Sequence, residues 1–88
     1  MRLNVFAVKD RATDLFGTPM FMLSPGQATR SFADEINRKA PDNQLNAHPD
    51  DFDLYHLGEY DSETGSFDTG APVITVRGKD VFTANGSV

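Results

Sequence analysis

Apolar residues change their spacing along the chain, and each spacing predicts a different element. Residues 3–8 are apolar, β-branched or aromatic with little polar interruption, which is typical of a strand that is covered on both faces or lies centrally in a sheet. A short helical turn is predicted at residues 11–16, before a break that contains glycine and proline. Residues 20–23 form the second apolar run, and they predict a second short strand.

The next segment has the period of an amphipathic helix. Ala28, Phe32 and Ile36 recur at intervals of four residues, and charged side chains fall on the other faces. Ser24 suits the N-cap position, a proline follows at the first helical position, and a glutamine three residues after the cap completes a capping box. These signals predict a helix at about residues 25–38.

Strand patterns return after a polar connection predicted at residues 41–47. Residues 49–52 favour one helical turn capped by its own acids, and residues 53–60 predict a strand. Simple alternation places the large side chains of this strand on two sides, with Phe52, Leu54 and Tyr60 on one and Tyr55 and Leu57 on the other.

Turn residues then predict a hairpin. Residues 61–65 are turn formers, and Gly65 is suited to the positive φ that closes a short hairpin loop. A return strand is expected to begin at residues 66–67. A separate strand is expected at residues 73–76, before a turn at residues 78–80.

The predicted order of strand, strand, helix and three further strands favours an α+β fold. In this fold an antiparallel sheet of four to five short strands carries one amphipathic helix on a face. A small, partly open β-barrel with one helix is the alternative, because the same elements would also close in that way. The length of 88 residues fits one domain, predicted at residues 1–82, with a flexible tail at residues 83–88.

The composition limits how this small core is stabilised. The chain has no cysteine, so neither disulfides nor thiolate-bound metal reinforces the core. Short strands also leave sheet edges unpaired unless a partner covers them, and we therefore expect a homodimer or a higher homo-oligomer. The N-terminal apolar run is too short for a signal peptide or a membrane span, and we expect a cytoplasmic protein.

Charge is distributed unevenly around a net value of −5. Residues 1–40 contain six basic and four acidic side chains, whereas residues 41–88 contain two basic and nine acidic ones. A positive groove with nearby aromatic rings is what binding of single-stranded nucleic acid requires. The candidate nucleic-acid-binding residues are Arg2, Lys9, Arg11, Arg30, Arg38 and Lys39.

The acidic half of the chain argues against DNA binding. Tyr55 and Tyr60 lie among acids that would repel phosphate, and most of the phenylalanines are expected in the core. A basic surface on another protein is the alternative partner. The candidate protein-interaction residues are Asp50, Asp51, Asp53, Glu59, Asp61 and Glu63. Solvated charge at the two ends of a small fold is the plainer explanation.

No residue pattern indicates catalysis or a bound cofactor. His48 and His56, with the acids between them, match no dedicated zinc or calcium loop. Ser24 and Ser31 are explained by a helix cap and a helix surface, and the glycines are dispersed rather than gathered in a phosphate loop. We therefore expect no enzymatic activity, no cofactor and no metal site.

Four blocks of sequence together resemble a known family. They are MRLNVFAVKD at residues 1–10, FGTP at 16–19, RSFADEIN at 30–37 and HPDDFDLYHLGEYD at 48–61. In this order they resemble the small nonstructural protein of gokushoviruses, which are tailless icosahedral phages with single-stranded DNA genomes. The likeness runs from residue 1 to about residue 80.

This resemblance implies a nonstructural protein that is made in the cytoplasm of the infected bacterium and acts in viral DNA synthesis. It suggests a nonenzymatic factor that binds single-stranded DNA or switches between stages of genome replication. An acidic module that engages a host or phage replication protein is the alternative. The family supplies no catalytic residues to place on this sequence.

Overall fold

The computed structural model describes residues 1–83. Its elements in chain order are β1 (Arg2–Asp10), β2 (Leu15–Phe16), β3 (Met20–Met22), α1 (Pro25–Asn37), α2 (Gln44–Ala47), a 3-10 turn (Pro49–Asp51), β4 (Phe52–Asp61), β5 (Ser66–Arg77) and α3 (Gly78–Val81). The predicted tail at residues 83–88 lies, beyond its first residue, outside the described residues. No helix in the described part of the chain is long and apolar enough to cross a membrane.

The strands form one antiparallel sheet that is curled into a half-barrel. Strand β1 is central, since it pairs with β4 along one edge and with both β2 and β3 along the other. Strand β5 follows β4 and lies at the outer edge of the sheet. The predicted α+β fold is therefore confirmed, and the curl also matches the alternative of a partly open barrel.

Helix α1 begins where its capping signals predict. Ser24 Oγ accepts a hydrogen bond of 3.1 Å from the Gln27 backbone N–H. The Gln27 side chain accepts a bond of 2.9 Å from the N–H of Leu23, one residue before the cap. These two bonds fix the path by which the chain leaves β3 and enters the helix.

One stripe of α1 forms the core with the central strands. Ala28, Phe32 and Ile36 are buried on the helix, as their spacing predicts. They pack against Phe6 of β1 and Leu54 of β4, which are 0% and 1% exposed. The helix therefore covers one face of the sheet and leaves the opposite face uncovered.

The segment after α1 differs from its prediction. Residues 41–47 contain the short helix α2 rather than only a polar connection. The buried Asn43 side chain accepts a hydrogen bond from the Leu45 N–H and donates to the carbonyls of Glu35 and Arg38. One asparagine thus caps α2 and satisfies the end of α1, and periodicity alone does not reveal this double role.

Other local predictions also change. Residues 11–14 form a turn closed by a bond of 2.7 Å from the Asp14 N–H to the Asp10 carbonyl, but residues 15–16 pair with β1 as strand β2. The helical turn at Pro49–Asp51 is confirmed, although no side chain caps it. The two strands predicted at residues 66–67 and 73–76 are parts of the single strand β5.

A bulge in β4 changes which side chains share a face. Val5 pairs with Gly58 and Phe6 pairs with His56, so Leu57 is an extra residue in β4. Gly58 has φ of +147°, and a Cβ on it would lie 2.3 Å from the Asp68 carbonyl oxygen. Beyond the bulge the alternation is shifted by one residue, so Tyr60 shares a face with Tyr55. The prediction that Tyr60 shares a side with Leu54 was wrong.

Candidate nucleic-acid interface

The sheet has two faces of different chemistry. Phe6 and Val8 of β1 point to the helix face, which is the face that α1 covers. The residues between them point to the opposite side, which we call the aromatic face. Its aromatic side chains are Phe16, Phe21, Tyr55, Tyr60 and Phe67, contributed by β2, β3, β4 and β5.

Three of these rings form a group beside the β4–β5 hairpin. Tyr60 and Phe67 lie opposite each other on neighbouring strands, with ring centroids 4.8 Å apart. Phe21 reaches this pair from β3, with its centroid 5.6 Å from that of Tyr60 and 6.2 Å from that of Phe67. The group therefore joins strands from both sides of β1 across the middle of the sheet.

The other two rings lie near the far end of β1. Phe16 and Tyr55 meet edge to face with centroids 5.2 Å apart. Lys9 Nζ lies 5.5 Å from the Phe16 centroid and 6.0 Å from that of Tyr55. Lys9 Nζ also lies 3.0 Å from Asp14 Oδ1, and this hydrogen bond raises the pKa of the lysine. A cation therefore lies against the rings and stays protonated at neutral pH.

The rings cover the strand beneath them and still face solvent. Val5 and Ala7 on this side of β1 are 3% and 0% exposed, although no helix of residues 1–83 covers them. In contrast, Phe16, Phe21 and Phe67 are 41%, 47% and 58% exposed. The aromatic face therefore acts as a thin cover for β1 and presents ring surface outward.

The acids that neighbour these rings in sequence point to the other side of the sheet. Glu59 lies opposite Asn4, and Asp68 lies opposite Glu59, so both fall on the helix face. Arg2 Nη2 approaches them there, at 2.7 Å from Glu59 Oε1 and 3.6 Å from Asp68 Oδ2. The acidic sequence around Tyr60 and Phe67 therefore does not make the aromatic face acidic.

Asp53 is an acid that does lie on the aromatic face, opposite Lys9. It is 1% exposed, with its Oδ2 3.5 Å from Arg77 Nη1 and 3.9 Å from Arg11 Nε. The buried carboxylate thus holds two arginines at this end of the sheet. We call Lys9, Arg11 and Arg77 the basic rim, and Arg77 is the member that sequence reasoning missed.

The structure does not bring the six predicted basic residues together. Lys9 and Arg11 belong to the basic rim, whereas Arg2 lies on the helix face with Glu59. Arg38 follows α1 and makes two hydrogen bonds, of 2.9 and 2.7 Å, to the Glu35 carboxylate. These bonds lower the pKa of Glu35. The remaining two, Arg30 and Lys39, are exposed on or just after α1.

The six predicted acidic residues are also separated. Asp50 and Asp51 lie in the 3-10 turn, and Asp53 is buried. The other three lie in or beside the hairpin, where Asp61 Oδ1 accepts a bond of 2.9 Å from the Glu63 N–H. This bond is the main cause of the lowered pKa of Asp61. The hairpin end, with Glu59, Asp61, Glu63 and Asp68, is the acidic surface that the structure forms.

His56 and a small cavity lie on the helix side of the sheet. His56 Nε2 lies 3.2 Å from Asn4 Oδ1, and its ring centroid lies 4.9 Å from that of Phe6. Within residues 1–83 no three metal-ligating side chains gather at one point. A cavity of about 270 Å³ lies between α1, β1 and β3, and it is lined mainly by apolar side chains, including Val8, Met20, Met22 and Phe32.

A comparison with known families identifies the group to which the sequence belongs. Residues 3–81 match the family described as phage ORF5 protein. The chain belongs to the phage ORF5 protein family. The predicted resemblance to a small phage protein is therefore confirmed, and the match covers both the aromatic face and the basic rim of the chain. No curated protein and no solved structure gave a significant match to it.

Proposed function

We propose that this phage protein binds single-stranded DNA through its aromatic face and acts in viral DNA synthesis without catalytic activity of its own. It would work in the cytoplasm of the infected bacterium, as a single-stranded DNA-binding factor or as a switch between replication stages. The observation that carries the proposal is the set of exposed rings on an uncovered sheet face. Membership of a phage family supplies the biological setting.

Ring geometry favours a single strand over a duplex. The bases of a single strand expose their faces and stack on aromatic side chains, at about 1–3 kcal/mol per base when the ring is removed. In a duplex these faces are already stacked on neighbouring base pairs. Phe16, Phe21 and Phe67 offer surface to more than one base, because they are spread over three strands of the sheet.

Charge placement allows DNA to approach one side of an acidic protein. The basic rim lies at one end of the aromatic face and supplies contacts for phosphate. The acids Glu59 and Asp68 face the opposite side and are held by Arg2. The net charge of −5 then repels DNA from the rest of the surface and favours one orientation of the strand.

Fluorescence anisotropy with a labelled oligothymidylate tests the proposal. We expect Phe67→Ala and Phe16→Ala each to weaken binding by about 1–3 kcal/mol, as for other base-stacking rings. Binding should also weaken as salt rises, because phosphate contacts release counterions. Matched duplex DNA should bind less tightly than the single strand at the same salt concentration.

Two matched controls separate the aromatic face from general effects. Leu15→Ala removes an exposed apolar side chain of β2 that points away from the face carrying Phe16, and it should leave affinity unchanged. Lys9→Gln should reduce both affinity and salt dependence. Arg30→Gln on α1 should change neither. Absence of binding at low salt, or equal losses from Leu15→Ala and Phe67→Ala, would refute the proposal.

A second candidate function uses the acidic hairpin end to engage a basic surface on a host or phage replication protein. It is favoured by the exposure of the Glu63 and Asp68 side chains, at 82% and 83%. Charge complementarity of this kind acts mainly on encounter rate and specificity. A pull-down from infected cells with Glu63→Gln and Asp68→Asn together should lose such a partner, whereas an unchanged set of partners would exclude this role for the hairpin.

A further inference from the structure

Strand β5 is the longest strand of the sheet, with 12 residues, and one of its edges is open. Among the described residues it pairs only with β4, so the main-chain groups along its other edge face solvent. We infer that a second copy of this chain pairs with this edge in antiparallel fashion and extends the sheet across the two copies. The inference is independent of DNA binding.

The chemistry of this edge favours strand pairing. Residues 69–76 contain no charged side chain, although the protein carries a net charge of −5. Val73 and Ile74 are 62% and 37% exposed, and they belong to a run of four β-branched residues that ends at Val76. Exposed edge strands usually carry charges, bulges or a cover that discourages pairing with another chain. In β5 this protection consists of Pro72 and of two register shifts in its pairing with β4, one between Thr69 and Val73 and one between Ile74 and Val76.

The opposite edge of the sheet is short and interrupted. It is formed by β2 and β3, which have two and three residues and are separated by a loop that contains Gly17 and Pro19. Short, interrupted edge strands give few consecutive hydrogen bonds to an added strand. The two edges therefore differ in length, and β5 is the edge that offers a partner strand the longer run of strand residues after Pro72.

Several features identify the partner as a second copy in antiparallel orientation. An antiparallel edge pairs with itself about a two-fold axis, which is the commonest symmetry of homo-oligomers. The ends of β5 carry opposite charges, with Asp68 near its start and Arg77 at its end. Parallel pairing in register would place each of these charges beside its like on the other copy, whereas antiparallel pairing keeps the like charges apart. Pro72 has no N–H, so the ladder is expected along residues 73–76.

This arrangement has a consequence for the aromatic face. The two-fold axis of an antiparallel strand pair is perpendicular to the sheet, so both copies present the same face to the same side. The aromatic faces of the two copies would therefore form one continuous surface, with Phe67 and Ile74 of each copy near the junction. On the proposed DNA-binding function, the dimer would accept a longer single strand than one copy does.

Light scattering on the full chain without DNA tests the dimer. We expect a mass of twice the 9.7 kDa chain at micromolar concentrations. Thr75→Lys places a cation on the edge and should weaken the dimer by at least about tenfold, since like charges then meet across the axis. Leu15→Lys, on the opposite edge and 67% exposed, is the matched control and should leave the mass unchanged.

The absence of cysteine allows a second test with single spin labels. Labels at Thr75→Cys should lie within about 15 Å of each other across the junction, given the spacing of paired strands. Labels at Ser66→Cys should be about 50 Å apart, because each strand residue advances about 3.3 Å away from the axis. Equal distances at both positions would overturn antiparallel pairing. A monomer at millimolar concentration, or a dimer lost with Phe67→Ala but not with Thr75→Lys, would overturn the β5 interface.

Discussion

The two faces of the sheet bury the same central strand in different ways. On the helix face, Phe6 is fully buried beneath α1 together with Phe32 and Ile36. On the aromatic face, Val5 and Ala7 are equally buried. The three phenylalanines among the rings that cover them are nevertheless 41% to 58% exposed. The helix face therefore forms a complete core, whereas the aromatic face presents a surface that is available to a ligand.

This difference separates stability from binding within one small domain. Side chains enclosed on all sides contribute most to folding, because their removal leaves a cavity. Rings that are half exposed contribute less to folding and keep surface for stacking. An 88-residue chain without disulfides can therefore present five aromatic rings on its uncovered face while one helix completes its core.

The largest effect is expected when one phenylalanine on each face is replaced by alanine and the losses of stability are compared. Phe6→Ala should lower the free energy of unfolding by about 3–5 kcal/mol, as for other buried phenylalanines. Phe67→Ala should lower it by about 1 kcal/mol, since its side chain is 58% exposed. Urea denaturation of both variants measures these changes. Equal losses would mean that the aromatic face is part of the folding core.

The next largest effect on stability is expected at the bulge in β4, which determines the face on which the side chains after it lie. Gly58→Ala should cost about 1–3 kcal/mol or more, because φ of +147° strains any other residue and its Cβ would meet the Asp68 carbonyl. Gly70→Ala in β5 is the control, since a Cβ there meets nothing within 4 Å. Thermal unfolding followed by circular dichroism compares the two. A stable Gly58→Ala protein would show that β4 does not need this backbone conformation.

The smallest effect is expected at the exposed pair of Glu35 and Arg38 on the outer side of α1. Hydrogen bonds from Arg38 hold the pKa of Glu35 below its usual value of 4.5. The contribution of this pair to stability is therefore present above pH 4.5 and is lost as pH falls through the lowered pKa. Arg38→Gln should raise the pKa of Glu35 in a carboxyl NMR titration, with little change in unfolding. An unchanged pKa would show that this exposed pair is not formed in solution.

Periodicity and capping predicted the elements that depend on local sequence. The helix follows from Ser24 and from the spacing of Ala28, Phe32 and Ile36, and the α+β layout follows from the order of elements. Strand β2 has only two residues, so it gives no period to detect, and it exists because it pairs with β1. Asn43 likewise acts through tertiary hydrogen bonds that a local pattern does not contain.

The candidate site was predicted less well than the fold, for one physical reason. Counting alternate residues through β4 places Tyr60 with Leu54, but the extra residue Leu57 reverses the assignment. Sequence neighbours also place Tyr60 among acids, but Glu59 and Asp68 project to the other side of the sheet. Gly58 was the available signal, because an isolated glycine within a strand often marks a bulge. Arg77 was missed because its role depends on the buried Asp53.

The Leu57 bulge also predicts which changes in gene length this strand would tolerate. Gly58 and His56 pair with Val5 and Phe6, which are consecutive residues of β1. Without Leu57, Gly58 and His56 would also be consecutive and would keep both pairs. In-frame loss of the Leu57 codon would therefore keep Tyr60 and Glu59 on their present sides. Loss of the Glu59 codon would instead move Tyr60 to the helix face and Asp61 to the aromatic face. Residue 57 is thus a position in β4 at which the gene can lose one codon without exchanging the side chains of the two faces.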